Sequence, residues 1–461
     1  MFRTVLAVAA CKACRTLLRL LKRGGTALPG KVALKIDPGI LEKVSAGMEI
    51  FVITGTNGKT TTSRMLEHAL EEAGEDVLAN KSGANLLSGV TAEFTANASL
   101  TGRAKKHTAV IECDEGALKQ VVPRIRPRVI TVTNLFRDQL DRYGEVMHTR
   151  DQIREGLRKA QDAVICLNAD CSLTASLADE EGIADRPDGR IRFFGVDIPA
   201  GDRKEPELSD AVHCIKCGTR YAYRYHTYAH LGSFYCPQCG YSRPDTDTGV
   251  TGILEEGPDH TTVTMHTGAG TQTVTVALPA LYNVYNALAA VTAFSASGRD
   301  PVVACRSLES VESGFGRMET FTLGGNRVQV ILVKNPAGAN QSVGFLSRLT
   351  EPFAAVLMLN DRTADGHDIS WIWDVDYEGF MQNENMVRVF CAGDRAADLA
   401  LRLKYAGGDE EKIEIISDPA QIADRIENGS LPAYVLPNYT SLLQIREIIS
   451  KRAGHGAFWE G

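Results

Sequence analysis

The chain is short of several features, and each absence excludes something. No apolar run in its 461 residues approaches the ~18 needed to cross a bilayer as a helix, which excludes an ordinary membrane-spanning class. A basic excess is also missing. Fifty lysines and arginines against 57 aspartates and glutamates leave a net charge of −7, which argues against a nucleic-acid binder held by one broad basic face. Nor do the cysteines form a disulfide framework: there are eleven, an odd number, with four in a metal-type spacing and most others scattered singly. That usage predicts a reducing, cytoplasmic compartment. Internal repeats and low-complexity tracts are absent. So is a secretory pattern, because the apolar stretch Val5–Ala10 precedes most of the local charge (Lys12, Arg15, Arg19, Lys22, Arg23). This order fits a basic amphipathic helix, either packed on the protein body or resting peripherally on the inner face of an anionic membrane.

What is present reads as an α/β protein. The apolar share of 44% and charged share of 23% are ordinary for a globular chain, and the length allows two or three domains. Short buried-strand patterns at Ile50–Thr54, Thr108–Glu112, Val129–Thr133 and Ala163–Leu167 alternate with helical ones at Thr60–Ala73 and Thr149–Ala160. Such alternation predicts a parallel sheet covered on both faces. A Tyr-, His- and Cys-rich stretch at about 205–248 breaks the rhythm and reads as an inserted module. A β-rich stretch follows from Thr261 to Val276, then a helix near Tyr282. Strands Val328–Val333, Ala354–Leu359 and Val387–Cys391 and a closing helix Ser441–Arg452 predict a second α/β domain. The expected organisation is an N-terminal basic helix and linker over 1–48, an ATP-binding domain over 49–315 and a C-terminal domain over 316–461.

The most informative segment is Gly55-Thr56-Asn57-Gly58-Lys59-Thr60-Thr61, at a strand-to-helix junction. Glycines let the backbone curl its N–H groups toward a phosphate, and the helix N-terminus adds a favourable dipole. Lys59 supplies a charge, and the Thr60 hydroxyl can hold Mg²⁺. The binding of ATP is the expectation.

Only two residues separate Gly55 from Gly58, where the common phosphate loop has four. This shortened form resembles the Mur ligase and folylpolyglutamate synthase superfamily. The resemblance implies a Mur ligase-type fold and a reaction in which ATP phosphorylates a carboxylate and an amine attacks the acyl phosphate. It also implies roles for residues that match family motifs. Glu112, at the end of a predicted strand, falls where the family has a second magnesium ligand. Thr133 to Gly144 resembles a family segment, with Gln139 in place of a histidine. Asn283, in Tyr282-Asn283-Val284-Tyr285-Asn286, matches an asparagine that contacts adenine. Arg317, in Gly316-Arg317-Met318-Glu319, matches an arginine that approaches the ATP phosphates. Lys334-Asn335-Pro336-Ala337-Gly338 departs from the family's usual Asp-Tyr-Ala-His-Asn-Pro.

Cys214-x-x-Cys217 and Cys236-x-x-Cys239 stand 18 residues apart, each pair followed by glycine (Gly218, Gly240). Two such knuckles can present four thiolates tetrahedrally to zinc. A closed four-thiolate site has no place for water, so the expected zinc is structural. Cys11 and Cys14 have no second pair. Because the ribbon also holds His213, Lys216, Arg220, Arg224, His226 and several tyrosines, an alternative reading is a nucleic-acid-binding ATPase. The acidic charge and the ligase motifs point away from nucleic acid.

A four-cysteine insert, no room before residue 49 for a nucleotide-sugar domain and the segment Leu359–Trp371 together narrow the resemblance. They are similar to the ligase subunits of lipid II isoglutaminyl synthases. The resemblance implies ATP-dependent amidation of the D-glutamate α-carboxyl of lipid II to D-isoglutamine. Ammonia would come from a separate GatD-like glutaminase, since no Gly-x-Cys-x-Gly elbow occurs here. In this family the functional aspartate of an Asp-x-x-Ala-Asp-Gly motif maps to Asp361, with Asp365 the other candidate. A ligase that adds an amino acid in place of ammonia is the alternative within the superfamily.

Overall fold

A computed structural model describes residues 2–21, 27–80, 84–137, 146–187, 189–200, 210–257, 259–311 and 316–454. The segment 138–145, with Gln139, lies outside them, as do the start of the insert at 205–209 and the predicted domain boundary at 315. Two units emerge, Met1–Phe136 with Val146–Glu312, and Arg137–Glu145 with Ser313–Gly461.

The first unit is built on a nine-stranded sheet among the described residues. Its strands are β1 (Glu49–Thr54), β2 (Val77–Ala79), β3 (Thr108–Glu112), β4 (Val129–Val132), β5 (Val164–Asn168) and β6 (Ile191–Val196), then β9 (Thr248–Glu256), β10 (Thr261–Thr267) and β11 (Gly270–Val276). The spatial order is β11-β10-β9-β6-β5-β4-β1-β3-β2. All pairings from β9 to β2 are parallel, and β9, β10 and β11 form an antiparallel extension. The central strands read as continuous apolar runs because helices cover both their faces: β3 and β4 are buried at every position. By contrast β10 alternates buried and half-buried residues, as a strand with one covered face should. Between β6 and β9 the chain forms a separate two-stranded hairpin, β7 (Ala222–Tyr228) with β8 (Leu231–Tyr235).

The N-terminal helix Phe2–Leu20 buries Thr4, Ala7, Val8 and Cys11 against the helices Ala27–Ile36 and Leu87–Asn97. One face is therefore packed on the body of its unit. No described helix is long and apolar enough to cross a membrane.

The second unit holds a six-stranded sheet in the order β12-β13-β17-β14-β15-β16. Its strands are β12 (Arg317–Leu323), β13 (Asn326–Ile331), β14 (Phe353–Met358), β15 (Met386–Ala392), β16 (Ile413–Ile415) and β17 (Ala433–Pro437). Only the β12–β13 hairpin is antiparallel. Val330, Val356, Val435, Leu442 and Ile445 lie in its core. Asn335-Pro336 proves to be a helix start: Asn335 Oδ1 accepts from the Gly338 N–H at 2.9 Å, and Pro336 takes the first turn of Pro336–Leu346, where no N–H is needed.

Candidate active site and cysteine cluster

β1 passes into the helix Lys59–Glu72 through Gly55-Thr56-Asn57-Gly58. Two positions there demand glycine on both torsion and space. Gly58 has φ +85°, and a Cβ on it would lie 2.0 Å from Asn286 Oδ1. Gly55 has φ +118°, and its Cβ would lie 2.4 Å from Thr133 Oγ1. The loop is thus pressed against two other elements. From the end of β4, Thr133 donates to the Asn57 carbonyl at 2.7 Å, while Asn134 Oδ1 accepts from the Asn57 N–H at 2.9 Å. The Thr56 hydroxyl donates to the Phe136 carbonyl at 3.2 Å and accepts from the Phe136 N–H at 3.1 Å. Held this way, the loop leads into a helix start whose N-cap, Gly58, supplies no side-chain acceptor. The first-turn N–H groups have no intrahelical partners, which suits an anion.

Lys59 is buried and lies back across its own loop. Its Nζ donates to the Gly55 carbonyl at 2.6 Å and to Glu115 Oε1 at 2.7 Å. The two predicted magnesium ligands come together: Thr60 Oγ1 donates to Glu112 Oε2 at 2.7 Å. Strand register explains this, because Ile53 on β1 pairs with Glu112 on β3 in parallel, so both strands end at the loop. Asn80 clamps the Glu112 backbone with bonds of 2.9 and 2.8 Å, and Asn85 Nδ2 donates to Glu112 Oε1 at 3.3 Å. Glu112, Asp114 and Glu115 are all buried, and Glu115 pairs with Lys59. Their carboxylates point to different partners: Glu115 takes Lys59, Asp114 Oδ1 accepts from the Gly116 N–H at 3.0 Å, and Glu112 takes Thr60. Between them, burial and then the neighbouring carboxylates push the Cys113 thiol well above its ordinary range.

Asn283 is buried on the helix Leu281–Ala296 and donates to the Pro279 carbonyl at 2.7 Å. Its Oδ1 accepts from Asn286 Nδ2 at 3.2 Å, and Asn286 Oδ1 accepts from Thr62 at 3.4 Å. The predicted adenine residue is therefore linked to the phosphate loop through Asn286. Sequence reasoning missed Asn286 and Glu115 as parts of this site. The signals available were the paired asparagines three apart on one helix face and the acids clustered just after Glu112.

In the second unit, Arg317 opens β12 at a bulge, between Gly316 (φ +63°) and Met318 (φ +62°). A left-handed methionine stores strain of about 1–3 kcal/mol and turns Glu319 onto Arg446, whose Nη2 donates at 2.6 Å. The loop after β14 carries both candidate aspartates. Asp365 is committed to the helix Tyr439–Arg452, accepting from the Thr440 N–H at 2.8 Å and the Thr440 hydroxyl at 2.5 Å. Asp361 is about a third exposed and lies 3.7 Å from Arg395. Its carbonyl is 2.7 Å from His367 Nδ1. Of the two, Asp361 presents its carboxylate to solvent.

The four cysteines meet as the spacing predicts. All four sulfurs lie within 4.8 Å of one another, with Cys214–Cys239 at 3.6 Å and Cys217–Cys236 at 3.4 Å. A tetrahedral zinc with bonds of ~2.3 Å sets its sulfurs ~3.8 Å apart, so the donor set fits that ion closely. Gly218 (φ +77°) and Gly240 (φ +75°) close the two knuckles by donating to the carbonyls of Cys214 and Cys236. The Thr219 hydroxyl beside Cys217, 3.4 Å away, holds its thiol down to about 6.

The hairpin β7–β8 carries this cluster at one end, and its turn reaches the phosphate loop's supports. Thr227 shares a 2.7 Å hydrogen bond with Tyr285, and the Tyr228 ring meets Tyr285 edge-on at 5.5 Å and stacks on Phe136 at 5.9 Å. The His230 ring is 4.7 Å from Phe136. Burial raises the Cys171 thiol, but His230, with Nε2 3.4 Å away, outweighs it and draws the thiol below its ordinary value. Arg243, just beyond the second knuckle, is tied to buried Asp170 at 2.5 Å and to Asp197 at 2.7 Å. Aromatic side chains that could have stacked on bases are largely occupied: Tyr221 and Tyr228 are buried, and Tyr223 stacks on His226 at 3.8 Å.

Residues 53–200 match the family of the Mur ligase middle domain, and residues 332–442 match that of the MurT ligase C-terminal domain. The chain is 36% identical over 453 residues to the lipid II isoglutaminyl synthase (glutamine-hydrolyzing) subunit MurT of Streptococcus pneumoniae, covering 98% of each chain. Its identity to the subunit of the same name from Staphylococcus aureus is 30%, over 96% of this chain and 97% of that one. Among solved structures, MurF from Acinetobacter baumannii has a TM-score of 0.67 at 17% identity, over 94% of this chain and 81% of that one. A pseudomurein peptide ligase type C from Methanothermus fervidus has a TM-score of 0.64 at 19% identity, over 88% and 79%. Both share the fold.

Proposed function

Because this chain belongs to the MurT family of Mur-type carbon–nitrogen ligases, we propose that it is the ligase subunit that amidates the D-glutamate α-carboxyl of lipid II with ammonia from a glutaminase partner. The observation that carries the reading is the loop itself. Lys59, the first-turn amides of its helix and the Thr60–Glu112 pair lie together at the end of β1, in a fold shared with MurF.

Carboxylates are poor electrophiles, so the first step is attack of the substrate carboxylate on the γ-phosphate of ATP. Lys59 and the loop amides neutralise charge that spreads over the transferring phosphoryl group. Thr60 and Glu112 would hold Mg²⁺, whose contribution is further neutralisation of the phosphates. By their match to the family motifs, Asn283 is the candidate adenine contact and Arg317 a candidate phosphate contact. Asp361, which matches the functional aspartate of the family motif, is the candidate catalytic residue, and its partly exposed carboxylate leaves it available for that role. Ammonia adds to the acyl carbon and phosphate leaves. The four cysteines would hold a structural zinc.

The name of the relatives as one subunit of a glutamine-hydrolyzing enzyme supports a GatD-like partner as the ammonia source. A lipid-linked substrate places the work at the inner face of the membrane. The test is reconstitution of the chain with such a glutaminase, lipid II, glutamine and Mg-ATP. ADP release should require lipid II and glutamine together, and the lipid should gain one amide. ADP release driven instead by a free amino acid would assign the chain to the amino-acid-adding ligases.

A further inference from the structure

The N-terminal helix has two faces, and the outward one is the unusual one. Thr4, Ala7, Val8 and Cys11 turn inward. On the opposite side Phe2 is 82% exposed, Leu6 48%, Leu17 57% and Leu20 76%, with exposed Ala9 and Ala13 between them. At 3.6 residues per turn these six positions fall within an arc of about 80°. A helix that met only water would carry polar residues there.

The charge around that stripe has one sign. The helix contains no acid, and Arg3 lies on one shoulder of the stripe while Arg19 lies on the other, where Lys12 turns its Nζ back onto the Ala98 carbonyl. Acids of the neighbouring elements are already engaged. Glu93 pairs with Arg15 at 3.2 Å, and Asp37 pairs with Lys43 at 2.7 Å and accepts from Thr4 at 3.1 Å. Exposed Lys105 is close enough to Lys12 to lower its pKa after burial has done so, and exposed Arg103 extends the basic rim. The charges also keep the helix from spanning a bilayer.

We propose that this helix lies in the surface of an anionic membrane, with Phe2, Leu6, Leu17 and Leu20 in the acyl boundary and the flanking lysines and arginines among the phosphate headgroups. Apolar burial and attraction to anionic lipid act together in such a helix, and neither alone holds it firmly. This deepens the location given to the ligase above, but it requires nothing of the reaction.

The test is flotation of the full chain with vesicles of equal parts phosphatidylglycerol and phosphatidylcholine, and with phosphatidylcholine alone. Wild-type protein should float with the anionic vesicles and much less with the neutral ones, with binding that weakens as salt is raised. Leu17→Asp/Leu20→Asp should cut the bound fraction at least about tenfold while leaving the melting temperature unchanged, since both side chains are exposed. Arg3→Glu/Arg19→Glu should cut binding and flatten its salt dependence. Equal flotation of wild type and the double-aspartate variant overturns the proposal. So does a double-aspartate variant that keeps vesicle binding but loses the glutaminase subunit or a second copy of the chain, which would make the stripe a protein interface. Because flotation needs no turnover, a failed amidation assay and a failed membrane surface are separate results.

Discussion

Lys59 illustrates how one side chain is specified by several others. Its ammonium is buried and held by the Gly55 carbonyl and by Glu115. Lys59→Ala should lower amidation by about 10²–10³-fold or more, since it removes a preorganised charge from the developing phosphate. The melting temperature and association with the glutaminase should persist. Glu112→Gln should demand roughly tenfold more Mg²⁺ for half-maximal rate, about 1.4 kcal/mol, because it removes one charged oxygen ligand. A magnesium titration of ADP release would read this directly. Gly58→Ala should weaken ATP binding and lower stability by about 1–2 kcal/mol, because φ +85° and the 2.0 Å approach to Asn286 both oppose a methyl group. Isothermal titration with a non-hydrolysable nucleotide together with a thermal melt would separate the two effects.

Among the elements, the inserted ribbon is the one whose role changed most between sequence and structure. Spacing alone predicts the four-thiolate cluster and its two knuckles, because each Cys-x-x-Cys followed by glycine closes locally. Where the hairpin turn lands is a matter of long-range packing. Tyr228 and His230 meet Phe136, which backs Thr56, and Thr227 meets Tyr285, which neighbours Asn286. Removal of the metal should therefore act at a distance. Cys236→Ser should lower the melting temperature and solubility, and any surviving protein should show a raised KM for ATP with its KM for glutamine unchanged. A variant with normal metal content would count against the site. Phe136→Ala should cost about 3–5 kcal/mol, as a fully buried aromatic lost from a core does, and should raise the KM for ATP in parallel.

At the scale of the molecule, the two units have their own sheets and cores, so unfolding need not be a single transition. Calorimetry in a strong zinc chelator should lower the transition of the unit that holds the cysteines while the other stays in place. Movement of both by equal amounts would show that they unfold as one. The sheets also mark how far the pattern could be read. Strands buried on both faces, such as β3 and β4, were legible as apolar runs. The three-residue β2 and β16 were not, because strands that short carry too few positions for a pattern and take their strand character from neighbours that supply hydrogen bonds.

By itself the sequence determined what local chemistry determines. That includes a two-residue glycine loop ahead of a lysine, a glutamate at a strand end, two metal-binding knuckles and a second α/β domain. Each depends on residues close in the chain, whose spacing sets geometry directly. Only the tertiary structure decided that Glu115 takes Lys59, that Asn286 occupies the space Gly58 leaves and that Asp365 is consumed as a helix cap while Asp361 faces solvent. The same holds for the apolar stripe of the first helix, which turns outward. Those outcomes join residues far apart in the chain, and periodicity cannot distinguish the face a helix buries from the face it leaves exposed when both are apolar.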